Sequence, residues 1–302
     1  MPARGLVLAA IAGASTAGAV SAGDSGTASA ASPEASMAVS AGKQKVRYGR
    51  QLGLSGRVSA RGAKTIRLEH AAPGGAFRPV SSSRTGADGS YKFVVKPRRS
   101  GSYRAVSETG AVTAPRRVTV VAAIKARSTK HLAGGRSGSV RGKLLPASKG
   151  RRVTLQVRSR RGWKTVDRTT TRAGGRFRAA FKPAGPGRYR VRVTSAGNTL
   201  AAAASAKSSR VNVYRAGNAS WYGPGLYGNK LGCGGTLTPG TVGVANKRLP
   251  CGTKVTFRYR GRSVTAPVVD RGPYVGGREW DLTAALKQKL GFPSTGAVLS
   301  TR

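Results

Sequence analysis

Apolar and basic residues alternate along two stretches of the chain, YKFVVKP from Tyr91 and RYRVRV from Arg188. A period of two is typical of antiparallel strands that are buried on one face. Clusters of Gly, Ser and Pro interrupt the pattern at short intervals, as turns do. The 43 glycines and 15 prolines also favour turns and short strands over long helices. The pattern therefore predicts an all-β protein.

The two stretches belong to an internal repeat in which matching residues lie 86 positions apart. GSYKFVVKPRRSGSYRAV begins at Gly89, and GRFRAAFKPAGPGRYRVR begins at Gly175. Both glycines are expected in turns that precede the strongest strand of each copy. Each unit predicts a small β-sandwich and resembles bacterial immunoglobulin-like or carboxypeptidase-regulatory-like repeats. We expect a first basic β-sandwich at residues 43–123 and a second at residues 126–214.

The chain changes character after residue 215, where it becomes richer in glycine. The alternation between Val255 and Val269 predicts a β-hairpin with its turn at residues 260–262. DRGPY predicts a turn, because a Gly-Pro pair cannot continue a strand ladder. TAALKQKLG predicts a short helix with Thr283 as its N-cap and Gly291 as its stop. One face of this helix is expected to carry Leu282, Leu286 and Leu290.

The chain carries 54 Lys and Arg against 9 Asp and Glu, a formal net charge of +45. A field of that strength attracts polyanions of any kind. The repeats expose Lys and Arg on one face, which serves either as a solvated spacer or as an adhesive for anionic cell-wall polymers. Because no aromatic residues are interleaved for base stacking and no nucleic-acid-binding motif is present, we expect no specific nucleic-acid partner.

Residues 1–35 predict a secretory signal peptide followed by an Ala/Ser-rich tail. Arg4 precedes an apolar run from Leu6 to Val20, and small residues follow at two possible cleavage points. The run is too short to span a bilayer stably, and no other apolar stretch is long enough. We expect a secreted or wall-associated protein without a transmembrane segment and, because no Cys lies near the start, without a lipid anchor. The alternative is a disordered tail on a cytoplasmic protein.

Cys233 and Cys251 are the only cysteines of the chain. In an exported protein such a pair predicts a disulfide. Two buried thiols or a metal site are the alternatives. A metal site is disfavoured because both histidines, His70 and His131, lie outside this region. We therefore expect neither a metal nor a cofactor.

Three of the nine acids, Asp270, Glu279 and Asp281, fall within the segment VVDRGPYVGGREWDLT. The segment belongs to a series of motifs that occur in the order ASWYG, LPCGTKV, DRGPY, GREWDLT and LG. This series resembles the rare lipoprotein A (RlpA) family and, more broadly, the six-stranded double-psi β-barrel shared with expansins and barwin-like proteins. The resemblance covers residues 216–302. It implies a barrel of the cell envelope that binds the glycan strands of peptidoglycan.

The resemblance also implies a reaction, since some family members are lytic transglycosylases that leave a 1,6-anhydro sugar end. One carboxyl suffices, because it can protonate the leaving oxygen and then take the proton of the sugar's own 6-hydroxyl. Asp270 matches the family's acid in DRGP and is the expected catalytic residue; the alternative is an Asx-type cap of the turn. Glu279 is expected to be exposed. The expected substrate-binding residues are Asp281, Asn246, Trp221, Tyr222, Tyr274 and Arg271.

Two departures from the family bear on activity. Catalytic members carry a histidine where this chain has Asn246, which can bond a sugar hydroxyl but cannot shuttle a proton near neutral pH. The first long loop, LGCGGTLTPGT, lacks the glutamate that such members can carry. The sequence therefore leaves three hypotheses: a lytic transglycosylase acting through Asp270, a non-catalytic expansin-like or wall-binding module, and a secreted nucleic-acid-binding or defence protein. Only charge supports the third.

Overall fold

The computed structural model describes residues 35–39, 44–59, 64–206 and 209–302. Residues 1–34 of the predicted signal and tail lie outside this range. The described residues form β-strands with one α-helix, which confirms the prediction of an all-β protein. Within these residues, no helix is long and apolar enough to cross a membrane.

The first repeat folds into two facing sheets. Its strands are β1 (Ala35–Val39), β2 (Lys45–Arg47), β3 (Leu52–Val58), β4 (Thr65–Ala71), β5 (Arg78–Arg84), β6 (Ser90–Val95), β7 (Gly101–Ser107) and β8 (Arg116–Val121). One sheet has the order β1–β3–β6, and the other has the order β2–β8–β7–β4–β5. The alternation predicted around Tyr91 is present, because Tyr91 and Phe93 are buried while the residues between and beside them are exposed.

The second repeat has the same plan and shares its larger sheet with the C-terminal domain. Its strands are β9 (Ala123–Ser128), β10 (His131–Ala133), β11 (Gly138–Leu145), β12 (Arg152–Ser159), β13 (Gly162–Thr170), β14 (Arg176–Phe181), β15 (Gly187–Ser195), β16 (Ala204–Ser205) and β17 (Ser209–Tyr222). The small sheet has the order β14–β11–β9. The large one has the order β13–β12–β15–β17, with β16 beside β15 and β10 beside β17.

The internal repeat is visible in the pairing of the strands. Gly56 pairs with Tyr91 in the first copy, and Gly142 pairs with Phe177 in the second, both 86 residues later. Gly89 and Gly175 precede β6 and β14 with φ values of 77° and 72°, as predicted for turn glycines. A Cβ at Gly89 would collide with the carbonyl of Val58.

The two sandwiches share one continuous hydrophobic core that reaches from Val46 to Val213. The loop before β16 docks on the first sandwich through backbone hydrogen bonds. The Ala202 N–H donates to the Val120 carbonyl at 2.8 Å, and the Ser100 N–H donates to the Leu200 carbonyl at 2.9 Å. The two repeats therefore pack directly against each other.

Strand β17 is long enough, at 14 residues, to belong to two domains. Residues 209–213 pair with β15 of the second sandwich. From Arg215 onward the same strand pairs with a C-terminal strand, β22 (Gly296–Ser300), and residues 219–222 pair with β21 (Trp280–Thr283). The strand thus runs without a break past residue 215, where the composition of the chain changes.

The C-terminal domain is a closed ring of six strands. It adds β18 (Val244–Ala245), β19 (Lys254–Tyr259) and β20 (Arg262–Asp270) to the strands already described. The order is β17–β21–β18–β20–β19–β22, and β22 returns to pair with β17. The core of the ring contains the fully buried side chains of Phe257, Trp280 and Leu282. Closure leaves the barrel without an open sheet edge.

Local predictions for this domain are confirmed. β19 and β20 form the predicted hairpin, with Arg260 and Gly261 at positive φ in its turn. Helix α1 (Ala284–Leu290) begins after Thr283, whose hydroxyl accepts a hydrogen bond from the Leu286 N–H, and it stops at Gly291 in the left-handed conformation. One detail differs: Leu282 lies in β21 rather than in the helix, because its pairing with Val244 holds it in the sheet.

Candidate functional site

Two aspartates lie on the two strands that flank β18, one on each side of Ala245. Ala245 of the short strand β18 has Asp270 of β20 as its register partner on one side and Asp281 of β21 on the other. The register of β18 on β20 shifts between Val244 and Ala245, which interrupts the regular pairing of the two strands. Such irregularities change the direction of neighbouring side chains and are common beside active sites. The topology thus brings together two of the three acids of the VVDRGPYVGGREWDLT segment.

Asp270 lies at the last position of β20, and backbone groups hold its side chain. Its Oδ1 accepts hydrogen bonds from the Gly232 N–H at 2.7 Å and from the Arg271 N–H at 2.8 Å. The bond to Arg271 joins neighbouring residues, whereas an Asx-type cap accepts from the N–H two residues further on. The bond to Gly232 crosses 38 residues and fixes the loop between β17 and β18 against the acid.

Asp281 faces the same side of the sheet as its register partner Ser220. The Ser220 hydroxyl donates to Asp281 Oδ1 at 2.8 Å. Burial raises the pKa of Asp281, and the charge of Asp270 raises it further, while the Ser220 hydrogen bond and the charge of Arg278 act in the opposite direction. Asp281 therefore keeps its proton to a higher pH than an ordinary aspartate does.

Tyr222 completes the polar group. It follows Ser220 by two residues on β17, so both side chains lie on one face of the strand. Its hydroxyl is buried close to the Asp270 carboxyl, although the contact lies outside strict hydrogen-bond geometry. Burial raises the pKa of Tyr222, and the charge of Asp270, the contact of the hydroxyl with the Asp270 carboxyl and the charge of Asp281 raise it further. A neutral hydroxyl thus lies within the electrostatic reach of both acids.

The side chain of Asn246 is engaged by the backbone. Its Oδ1 accepts from the N–H groups of Arg248 and Leu249 at 3.1 and 2.9 Å, and its Nδ2 donates to the Glu279 carbonyl at 3.2 Å. The residue is 7% exposed. Asn246 therefore shapes the loop that follows β18.

Arg271 braces the same loop from the other side. Its guanidinium donates to the carbonyls of Asn246 and Leu249 at 3.1 and 2.7 Å and approaches the sulfur of Cys251 at 2.9 Å. Cys251 is bonded to Cys233, which confirms the predicted disulfide. The disulfide and Arg271 together hold two loops around Asp270.

The aromatic candidates are divided between two surfaces. Trp221 lies on the strand face opposite Ser220, partly buried against the barrel core, and Lys287 Nζ lies 3.8 Å from the centre of its ring. Tyr274, in the turn after Asp270, is 81% exposed. Lys247 Nζ lies 5.9 Å from the centre of that ring. Of the three aromatic residues predicted to contact substrate, Tyr274 is the one whose ring is exposed to solvent.

The remaining members of the acidic segment stabilise the fold. Glu279 forms an ion pair with Arg215 of β17, with one contact at 2.7 Å. Trp280 is fully buried and packs edge-on against Phe257 with ring centres 5.1 Å apart, so it is a core residue. Glu279 was expected to be exposed; its side chain is 31% exposed and is paired with Arg215.

Sequence reasoning did not single out Ser220, Gly232 and Ala245. Ser220 could have been found from the alternation in ASWYG, which places it opposite Trp221 on the strand. Gly232 had no local signal, because its contact with Asp270 depends on the loop crossing. Within the described residues, no three His, Cys, Asp or Glu side chains come together in a metal-binding group.

Residues 214–299 match the double-psi β-barrel family model described as "Lytic transglycolase". The closed ring of six strands agrees with this fold. This domain therefore resembles the RlpA family, as its motifs indicated.

Curated relatives share this part of the chain. "Probable endolytic peptidoglycan transglycosylase RlpA" of Synechocystis sp. is 40% identical over 101 residues, which are 33% of this chain and 30% of the relative. "Endolytic peptidoglycan transglycosylase RlpA" of Campylobacter jejuni is 40% identical over 82 residues (26% and 30%). The protein of that name from Neisseria meningitidis serogroup A is 42% identical over 82 residues (26% and 34%). The chain thus spans about a third of the length of these relatives.

Among solved structures, the tetra-tandem repeat in the extending region of a large adhesion protein aligns with 82% of this chain and 66% of its own. The TM-score is 0.31 and the identity is 14%, so this similarity supports no argument about function.

Proposed function

We propose that the C-terminal barrel cleaves the glycan strands of peptidoglycan as a lytic transglycosylase. The observation that carries the proposal is the pairing of Asp270 and Asp281 across Ala245, close enough for the charge of one to raise the pKa of the other. The match of residues 214–299 to the lytic family model, and the names of the relatives, support the same reaction.

The reaction needs one proton donor and one proton acceptor. The bond from C1 of a sugar to the bridging oxygen breaks, and a bond from C1 to O6 of the same sugar forms. Asp281 suits the donor role, because its raised pKa keeps the proton available. Asp270 suits the acceptor role, because two backbone N–H groups hold its carboxylate in place. One proton is given and one is taken, so no water is consumed.

Tyr222 is proposed to return the proton between turnovers. Its hydroxyl stays neutral in the field of both acids, so it can accept a proton from one partner while it donates its own to the other. This role needs no histidine at the position of Asn246. Asn246 does not take it over, because its amide is occupied by backbone groups.

Substrate contacts are proposed on the exposed side of the site. The Tyr274 ring presents a flat apolar face in the turn that begins at Asp270, which suits the C–H face of a sugar. We further propose that the protein is secreted, acts at the cell envelope, and is held there by anionic wall polymers that bind its basic sandwiches. Peptidoglycan is the substrate in this proposal.

The test is mass spectrometry of soluble fragments released from purified peptidoglycan, with and without stem peptides. The wild type is expected to release 1,6-anhydro fragments. Asp270→Asn and Asp281→Asn are each expected to lower the rate by about 10²- to 10⁴-fold, the usual contribution of a general acid or base. Asp88→Asn, the same chemical change on an exposed acid of the first sandwich, is the matched control and is expected to have no effect.

Three outcomes contradict the proposal or part of it. Full activity in Asp270→Asn removes that residue from the chemistry. Full activity in Asp281→Asn at all pH values leaves Asp270 as the single acid. Absence of anhydro fragments from the wild type, together with retained pull-down by peptidoglycan, identifies a non-catalytic binding module.

A further inference from the structure

One exposed face of the second sandwich carries an ordered array of cations. In the small sheet, Arg127, Arg141 and Arg178 are register partners across three adjacent strands. Two residues along the strands, Lys125, Lys143 and Arg176 form a second such row. All six side chains are exposed. We call these six residues the cation array.

The spacing of the array follows from sheet geometry. Neighbours within a row are about 5 Å apart at their Cβ atoms, and the two rows are separated by two residues, or about 7 Å. Like charges placed directly opposite each other across strands destabilise a sheet. The ion pairs of the described residues include none of the six. The nearby Asp167 instead accepts a hydrogen bond from the Ala180 N–H at 2.7 Å.

The first sandwich shows that the fold does not require this array. The repeat gives each of four array residues an equivalent 86 positions earlier in the first sandwich. Arg141 and Lys143 correspond to Ser55 and Arg57, and Arg176 and Arg178 correspond to Ser90 and Lys92. These four residues pair in the same register, Ser55 with Lys92 and Arg57 with Ser90. The third strand places Ala38 opposite Ser55 and Ser36 opposite Arg57. Of the two cations in this set, Arg57 forms an ion pair with Asp88 at 2.8 Å.

The same architecture thus occurs twice in one chain, once with six cations in two rows and once with two cations, one of them paired with an acid. The repulsion between these cations lowers the stability of the second sandwich but not of the first, which indicates that a bound ligand offsets this cost. Four of the six cations are arginines, whose planar guanidinium binds phosphate in a bidentate manner. The side chains of this face alternate with buried ones such as Phe177, and no aromatic ring lies within the array, so it offers no platform for stacked bases.

We propose that the cation array is a binding site for a phosphodiester-linked polyol polymer of the cell wall. Successive phosphates of a flexible chain can lie along the two rows, each between neighbouring guanidinium or ammonium groups. That the polymer belongs to a wall rests on the function proposed above. The array lies in the second sandwich, whose strand β17 continues into the barrel, so the bound polymer holds the barrel at its substrate.

The test measures the affinity of the full chain for purified, fluorescently labelled poly(glycerol phosphate) at several salt concentrations. The array variant carries Gln or Ser in place of all six cations of the array. Ser is chosen because the first sandwich carries it at two of the equivalent positions. In the matched control, six exposed cations of the first sandwich are replaced in the same way, so that both variants have the same net charge: Arg47, Arg78, Arg84, Lys92, Lys96 and Arg98.

The array variant is expected to bind about 100-fold more weakly at physiological salt, because each exposed ion pair contributes roughly a factor of two to three. The salt slope of log K is also expected to fall by about four, at ~0.7 for each phosphate contact. The control is expected to keep affinity within about threefold. Thermal melting without polymer verifies folding, and the array variant is expected to melt no lower than the wild type, since cross-strand repulsion is removed.

Three results would overturn the proposal. Equal losses in the array variant and the control show that net charge alone determines binding. An unchanged affinity in the array variant excludes the site. Tighter binding of single-stranded DNA than of the polyol phosphate assigns the array to nucleic acid.

Cleavage of peptidoglycan stripped of phosphate polymers is measured separately. If the wild type binds the polyol phosphate but does not cleave this peptidoglycan, the proposed function fails while the binding site of the array stands.

Discussion

Replacing Gly232 with alanine tests how closely activity depends on the position of Asp270. A Cβ at residue 232 would lie 2.9 Å from Asp270 Oδ1 and 3.0 Å from Arg271 Cγ, whereas ordinary contacts begin at 3.4 Å. The carboxylate must therefore shift by about 0.5 Å. Since misplacement by ~1 Å costs about 10²-fold in rate, we expect Gly232→Ala to lower kcat by about tenfold. Gly232 does not have the left-handed φ that would itself strain an alanine.

The assay is the rate of release of 1,6-anhydro fragments, with the melting temperature recorded in parallel. Gly240→Ala is the matched control, because this glycine lies in the same loop and also avoids the left-handed region, and a Cβ added to it would meet no heavy atom within 4 Å. A rate for Gly232→Ala equal to that of the control refutes the reasoning. A higher KM at unchanged kcat assigns Asp270 to binding rather than to chemistry.

Three further predictions concern stability. The pKa of Asp281 is raised in the folded state, so the folded protein binds more protons than the unfolded chain, and its stability falls as pH rises through that pKa. Asp281→Asn is therefore expected to raise the melting temperature at pH 7. Below about pH 4, where the aspartate is protonated in both states, the variant and the wild type are expected to melt at the same temperature. Replacing both Cys233 and Cys251 with serine is expected to lower the free energy of unfolding by about 3 kcal/mol in urea titrations, since the bond closes a loop with a sequence separation of 18. Trp280→Ala, which empties a fully buried position against Phe257, is expected to cost about 3–5 kcal/mol, and a loss below about 1 kcal/mol would contradict its place in the core.

The parts of the fold that depend on local sequence were predictable. Alternation specified the hairpin that contains Phe257, and the capping residues Thr283 and Gly291 specified the ends of helix α1. The order of short motifs indicated the barrel. Each of these signals lies within a few residues of the structure that it describes.

The geometry of the site was not predictable, because it depends on contacts between distant segments. Asp270 receives a hydrogen bond from Gly232, and Asp281 receives one from Ser220, 61 residues earlier. The sequence identifies Asn246 as unusual, but not the backbone groups that occupy its amide. Strand alternation places Trp221 and Tyr222 on opposite faces, but which face meets the acids depends on the strands that flank β17.

Strand β17 also has a mechanical consequence. Fourteen extended residues measure about 46 Å, and a strand that is already extended cannot lengthen under load. If wall polymer binds the second sandwich as proposed, tension in the wall would pass through the covalent backbone of β17 to Ser220 and Tyr222, beside the two acids. No loop interrupts this strand, so the force would reach the site without being absorbed by a hinge.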